Sequence, residues 1–331
     1  MKAAVFHGPC EIRREDIAPP NLTPDAVILR VEAAAICNAT DNRTYRSAAP
    51  RTVWPFMNPP YVLGHEACGT IVAKGASIDG RWRVGDRITG WGMTHGAFAQ
   101  YVRLVPKEMG ALLALDPRID SATGATMELA AGTTRMLLDE QGRWRIRQGD
   151  RIVVVGLGPS GLLFLQAARC LGAGEIVAVG KHRFRMDFAR KMGFAHVHAY
   201  EDGACVGRIQ AEHGPADVLI DTTGADIIPR LADLLKAGGI FVPFGIPSYE
   251  MDDRMGPLRA KGIRIAEDAA QCQNAIEAVH EWILAGSMNL KALATMRVDL
   301  EHVAEGLDAC VGAERSVMKV LVEIPPGGNF E

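Results

Sequence analysis

The pattern of apolar and polar positions changes character partway along the chain. Up to about residue 110 the apolar positions fall in short runs, such as Ala26 to Val31 and Gly69 to Val72, broken by clusters of Gly, Pro and Asn. Short runs bounded by turn formers predict the strands of a rolled-up β domain. Beyond Glu128, strand-length runs at Arg151 to Val155, Glu175 to Val179, Asp217 to Asp221, Ile240 to Phe244 and Gly262 to Ala266 alternate with helical periods at Gly161 to Leu171 and Arg185 to Met192. That alternation predicts a parallel sheet covered on both faces. A helical stretch, Ala275 to Leu284, leads to an extended apolar run, Ser316 to Ile324. The 331 residues exceed what one core usually holds, so two domains are expected.

Charge narrows the partners. A net charge of -3 and a pI near 6.3, without long runs of like charge, give no electrostatic footprint for nucleic acid or an anionic membrane. Small molecules and copies of the chain itself remain. The first residues lack the apolar stretch of a signal peptide, and no segment approaches the roughly 20 apolar residues of a membrane span, so the cytoplasm is the expected location. Seven cysteines, widely spaced and without a C-x-x-C pair, argue against a disulfide framework.

The most local chemical signal is Gly156-Leu157-Gly158-Pro159-Ser160-Gly161, which follows the apolar run Ile152 to Val155 and opens a helical stretch. In such a turn the first glycine permits the tight bend, the second lets the backbone approach a pyrophosphate, and the third lets helix and strand pack closely. Pro159 suits a first helical turn, and the helix N-terminus attracts phosphate. After the next strand an NAD site would place Asp or Glu against the ribose. Here Gly180 is followed by Lys181, His182 and Arg183, with Arg185 two further on. Cations without the repelling carboxylate suit a 2′-phosphate, so NADP is expected over NAD.

Cys37, His65 with Glu66, and Glu128 offer a thiolate, an imidazole and carboxylates, the donor types of catalytic zinc. Taken singly, each has a plain structural reading: a buried cysteine, a core histidine, a helix-surface acid. Their separation in sequence leaves both readings open at this level.

Resemblance adds to these residues. The segment Val31 to Cys37, Gly64-His65-Glu66, Val84-Gly85-Asp86-Arg87, Gly96-Ala97-Phe98-Ala99-Gln100-Tyr101 and the dinucleotide turn occur in the order of the medium-chain dehydrogenase/reductase superfamily. More narrowly, the chain resembles its zinc-dependent alcohol and polyol dehydrogenases. The resemblance implies an α/β fold with a GroES-like β-rich catalytic domain, residues 1–131 and again 269–331, around a Rossmann nucleotide-binding domain, residues 132–268. It implies that Cys37, His65 and Glu128 hold one catalytic zinc, with Glu66 a carboxylate able to exchange with water. It also implies an alcohol or carbonyl substrate and a homodimer or homotetramer. The run Ala178-Val179-Gly180-Lys181 is similar to NADP-dependent secondary-alcohol dehydrogenases.

Three departures stand out. Thr89 to Gly96 contains no cysteine, so the structural zinc that many relatives hold in a four-cysteine loop is not expected. Relatives usually carry Cys-x-Ser/Thr-Asp, whereas Cys37-Asn38-Ala39-Thr40-Asp41 has either an extra residue or Ala39 in the place of the hydroxyl; the resemblance favours Thr40 as the hydroxyl that meets the substrate. Asn42 stands where relatives often carry a proton-shuttling histidine, leaving Thr40, His95 or water as the relay. Two rival functions remain: a zinc-free quinone or enoyl reductase of the same superfamily, and a non-catalytic NADPH-binding protein. His196 and His198 read as alternating strand positions, not as a metal site. Cys68 reads as packing, and Trp54, Phe56, Trp91 and Met93 as either core or cleft residues.

Overall fold

The computed structural model describes all residues except 48–57, 94, 201–203, 226–227, 246–250, 313–315, 329 and 331. Trp54 and Phe56 lie outside the described residues. The chain divides into two compact units, one of Met1–Ala131, Ile276–Leu284 and Asn289–Glu331, the other of Gly132–Ala275 and Ala285–Met288.

The chain opens with β1 (Lys2–Gly8), β2 (Glu11–Asp16), β3 (Val27–Ala35), α1 (Thr40–Arg46), β4 (Tyr61–Val62) and β5 (Glu66–Lys74). It continues with β6 (Arg87–Trp91), β7 (Tyr101–Leu104), β8 (Ala111–Ala114) and α2 (Ser121–Thr134). The alternating elements follow as β9 (Arg151–Val155), α3 (Pro159–Cys170), β10 (Glu175–Gly180), α4 (Arg183–Lys191), β11 (His196–Ala199) and α5 (Ala204–His213). Next come β12 (Ala216–Asp221), α6 (Ile228–Leu231), β13 (Leu235–Pro243), α7 (Met251–Ala260) and β14 (Arg264–Ile265). The chain closes with α8 (Cys272–Leu284), β15 (Ala294–Asp299), α9 (Val303–Val311) and β16 (Lys319–Glu323).

In the first unit β2, β1 and β4 form a small antiparallel sheet, while a larger sheet runs β15-β16-β3-β5-β6-β8 with β7 also paired to β3. β3 is buried along most of its length, which is why its sequence shows no clean alternation. Its side chains join Phe6, Leu63, Ile71, Phe98 and Val320 in one apolar core. Register matters most at one edge of this sheet. Ala35 pairs with Glu66 of β5 and with Leu321 of β16, so the end of β3 and the starts of β5 and β16 come together.

In the second unit the strands are parallel and ordered β11-β10-β9-β12-β13-β14. Counted from β9 the order is 3-2-1-4-5-6, that of a Rossmann fold. Ile152 to Val155 and Val177 to Val179 are buried, as strands covered on both faces require. β13 begins before the sequence signal at Ile240 because Lys236 to Gly238 are exposed and carry no apolar pattern. Among the described residues no helix is long and apolar enough to cross a membrane.

Candidate functional site

The aligned strand ends gather the chemistry of the first unit. The chain leaves β3 through Ile36, whose N–H donates to the Val320 carbonyl at 2.9 Å, and reaches Cys37 immediately. β5 begins with Glu66, so His65 and Glu66 arrive at the same edge, and β16 brings in Lys319. One ligand atom each from Cys37, His65 and Glu66 lies within 4.8 Å of the others.

Asp41 organises two of the three. Its Oδ2 accepts the Cys37 N–H at 2.8 Å, and its Oδ1 lies 3.2 Å from His65 Nδ1. A carboxylate on Nδ1 fixes the ring and leaves the other nitrogen for Cys37, with which His65 also interacts. Burial works against a charged His65, yet the Asp41 charge and hydrogen bond, with Cys37 beside it, hold the imidazole well above the usual histidine range. The Thr40 amide N–H points at Cys37 Sγ, 3.3 Å away, a donor suited to a thiolate.

Glu66 is fully buried, and its Oε1 accepts a 2.6 Å bond from the equally buried Lys319 ammonium. Its Oε2 is buried without a hydrogen-bond partner. Burial pushes the Glu66 carboxyl up, partly offset by Lys319 and His65. Burial also opposes charge on Lys319, but Glu66 and Cys37 hold the ammonium above its usual range.

Glu128 reaches the same region from α2. Ala122 and Ala125 seat that helix against Ala33, Ala35 and Leu321 of the sheet. One turn on, Glu128 is buried, and burial pushes its carboxyl up to about 7, with His65 drawing it down and Glu66 raising it. It faces the cluster without belonging to the close triad. The resemblance gives the third ligand place to Glu128 with Glu66 beside it; in the structure Glu66 completes the close triad.

The shifts share a direction but not a cause: neighbouring acids raise His65 and Lys319 against burial, whereas burial raises Glu66 and Glu128 against the neighbouring cations. A soft thiolate, an imidazole and a carboxylate with one unpaired buried oxygen fit a zinc ion. Sequence reasoning missed Asp41 as the orienting group and Lys319 as the partner of Glu66. Asp41 was signalled by its place four residues after Cys37, and Lys319 by a charge within the apolar run Ser316 to Ile324.

The remaining candidates fall elsewhere. Asn42 is buried in α1, its Oδ1 accepting from Arg46 Nε at 3.4 Å. Ala39 is exposed. His95 stands edge-on to Tyr61 and lines, with Met93 and Tyr101, a cavity of about 570 Å³ whose walls include none of Cys37, His65 and Glu66. Cys68 donates to the Ser121 carbonyl, and burial pushes its thiol up to about 12, as befits packing. Met93 belongs to the core.

In the second unit the three glycines have separable physical roles. Gly156 has φ +92, and a Cβ there would meet Thr222 Oγ1 at 2.3 Å. A Cβ on Gly161 would stand 1.8 Å from the Gly156 carbonyl oxygen, so helix and turn touch through it. Gly158, the N-cap of α3, is open: a Cβ there meets only the Arg185 guanidinium, 3.4 Å away at Nη1. Pro159 and Ser160 form the first turn behind it. At the end of β10 a Cβ on Gly180 would come within 2.7 Å of Leu157 Cδ1. Lys181 is exposed, His182 caps α4, and Arg183 is exposed and paired with Asp187 at 3.7 Å. Arg185 is the cation nearest the glycine turn.

Residues 23–114 match the alcohol dehydrogenase GroES-like domain, and residues 159–285 match the zinc-binding dehydrogenase model. The chain belongs to the medium-chain dehydrogenase/reductase superfamily. A sorbitol dehydrogenase of Bacillus subtilis is 25% identical over 355 residues, covering 97% of each chain. A sorbitol dehydrogenase of Bombyx mori is 25% identical, covering 97% of this chain and 98% of its own. An alcohol dehydrogenase of Thermus sp. ATN1 shares the fold, with TM-score 0.79 and 20% identity over 98% of this chain and 100% of that one. This superfamily is one of oxidoreductases, and its GroES-like and Rossmann domains are the two architectures described above.

The ion pair at Glu66 is open to a stability test. Lys319→Met leaves a buried carboxylate without its partner, a change that typically costs about 3–5 kcal/mol. In metal-stripped protein the urea midpoint of the first unit should fall accordingly, and adding Glu66→Gln should restore most of the loss. An unchanged midpoint in the single variant contradicts this account of the pair.

Proposed function

We propose that the chain is a zinc-dependent dehydrogenase that uses NADP(H) in preference to NAD(H) to interconvert a secondary alcohol or polyol-like substrate with its carbonyl counterpart. The observation that carries the reading is the Cys37–His65–Glu66 triad, with half-buried Cys37 beside buried His65 and Glu66, in which Glu66 Oε2 has no hydrogen-bond partner. Sorbitol dehydrogenases among the relatives favour a polyol-like substrate. A zinc-free reductase would have no use for a thiolate, an imidazole and a carboxylate placed together. Seven free cysteines suit a reducing compartment, in keeping with a cytoplasmic enzyme.

Cys37, His65 and a carboxylate from Glu66 or Glu128 would hold the ion. When bound, zinc supplies Lewis-acid polarisation of the substrate oxygen, and NADP(H) supplies or accepts the hydride. Asp41 keeps His65 oriented, and Lys319 holds Glu66 in place and favours its charged form. Thr40, whose amide faces Cys37 Sγ, presents its hydroxyl as the proton relay, since Asn42 has no proton that titrates near neutral pH. In the second unit Gly158 leaves room for the pyrophosphate. Arg185 supplies the cation for a 2′-phosphate, and Leu157 occupies the space an acidic side chain at position 180 would need.

Two measurements separate the parts of this proposal. Cys37→Ser should abolish alcohol-dependent NADP reduction and leave NADPH affinity within about twofold, because the nucleotide residues belong to the other unit. Thr40→Val should lower turnover by roughly 10² to 10⁴, with Thr40→Ser mild. Normal turnover in either Cys37→Ser or Thr40→Val contradicts the assigned role.

Cofactor choice is read by fluorescence titration with NADPH and NADH. Losing a charge-assisted phosphate contact costs about 1.5–3 kcal/mol, so Arg185→Gln should weaken NADPH about 10- to 100-fold and leave NADH unaffected. Tighter NADH than NADPH binding in the unaltered protein would overturn the NADP reading.

A further inference from the structure

A second group of metal-ligand side chains lies in the Rossmann unit, on residues the proposed chemistry does not use. His196 and His198 sit at i and i+2 of β11 and so share one face of the sheet. They pair in register with Val177 and Val179 of β10, which puts Glu175 on that face as well. The helix covering it is α5, whose buried residues Cys205, Ile209 and His213 recur every four positions. His213 is the last residue of that stripe, and Glu212 precedes it.

Three donor atoms converge there. His198 Nε2 lies 2.9 Å from His213 Nε2, and Glu212 Oε2 lies 3.7 Å from His213 Nε2 and 3.8 Å from His198 Nε2. Donors about 2.0–2.1 Å from one tetrahedral zinc stand roughly 3.4 Å apart, and the three separations bracket that value. The outer contacts are also built. Glu175 Oε1 accepts from His213 Nδ1 at 2.7 Å, and Arg151 Nε holds the other Glu175 oxygen at 2.6 Å. A carboxylate on one ring nitrogen is the arrangement that fixes a metal-bound histidine. With its Nδ1 proton engaged, His213 presents a lone pair at Nε2, so in the metal-free protein His198 must donate across the 2.9 Å contact. An entering cation replaces that proton, which moves to His198 Nδ1 through solvent, and both imidazoles bind as neutral ligands.

We infer that His198, Glu212 and His213 form a second divalent-metal site, of the zinc class, that pins the C-terminal turn of α5 to the edge strand β11. Two imidazoles and one carboxylate suit zinc, and half-exposed Glu212 leaves the fourth position to water. A cation also complements the carbonyl end of α5. The site lies on the face of β10 opposite Gly180, apart from the dinucleotide residues. It departs from the simple reading of His196 and His198 as alternating strand positions, because the residue that joins them is His213, beyond the strand.

The test uses the full chain with Cys37→Ser, which disables the first metal centre, and zinc as the only added ion. Calorimetry and elemental analysis after dialysis should find one zinc lost on adding His198→Gln. The affected site should have a dissociation constant of about 1 μM or tighter before that change. Glu175→Gln should weaken it about 10- to 100-fold without removing a ligand. Zinc should raise the thermal midpoint of Cys37→Ser and not that of the double variant. Glu212→Gln, at an exposed position that tolerates substitution, should weaken zinc binding if His198→Gln proves too unstable to measure. Zinc binding by Cys37→Ser that neither His198→Gln nor Glu212→Gln alters, or no binding by folded Cys37→Ser, overturns the site and leaves a plain histidine–histidine hydrogen bond.

Discussion

Removing a carboxylate from water is unfavourable unless its charge is met, and Glu66 is the place where this protein accepts that condition. One oxygen is met by Lys319, a residue from near the far end of the chain. That requirement fixes β16 beside β3 with its first residue at the same edge as the first residue of β5. The other oxygen is buried without a hydrogen-bond partner, and a Glu66 carboxylate oxygen lies within 4.8 Å of the ligand atoms of Cys37 and His65. The close of β3 and the starts of β5 and β16 thus meet around one buried charge, beside α2 seated by its alanines.

The Rossmann unit works under a different constraint, close approach of backbone. Gly161 removes the side chain that would strike the Gly156 carbonyl, and Gly158 leaves the N-terminus of α3 open toward Arg185. In the proposed reading, phosphate recognition depends on missing atoms and a helix end, and needs little buried charge. The two units therefore divide the chemistry by physical type: charge compensation in one, backbone exposure in the other.

That division explains what could be read from sequence. The dinucleotide turn was legible because its residues are adjacent and its strand and helix flank it directly. The parallel order of the second sheet followed from strand–helix alternation, except where β13 begins on exposed polar residues. The candidate metal site was legible only as a set of suitable side chains. Cys37, His65 and Glu66 are brought together by register, and register depends on contacts far apart in the chain. Lys319 went unremarked within the apolar run Ser316 to Ile324 because its reason, a buried acid, lies on another strand. His213 gave no signal in the sequence, since neither helical period nor strand alternation relates it to His198. Asp41 was the nearest miss, one helical turn from Cys37 and visible in the motif without its role.

The central claim is that Cys37, His65 and a carboxylate from Glu66 or Glu128 form a metal centre. Anomalous diffraction on either side of the zinc absorption edge, from crystals grown with saturating zinc and reduced thiols, tests it directly. The account predicts a peak about 2.3 Å from Cys37 Sγ and about 2.0–2.2 Å from a His65 ring nitrogen and one carboxylate oxygen. A map with no peak beside Cys37 would contradict it, and a peak only between His198 and His213 would leave the second site standing without the first.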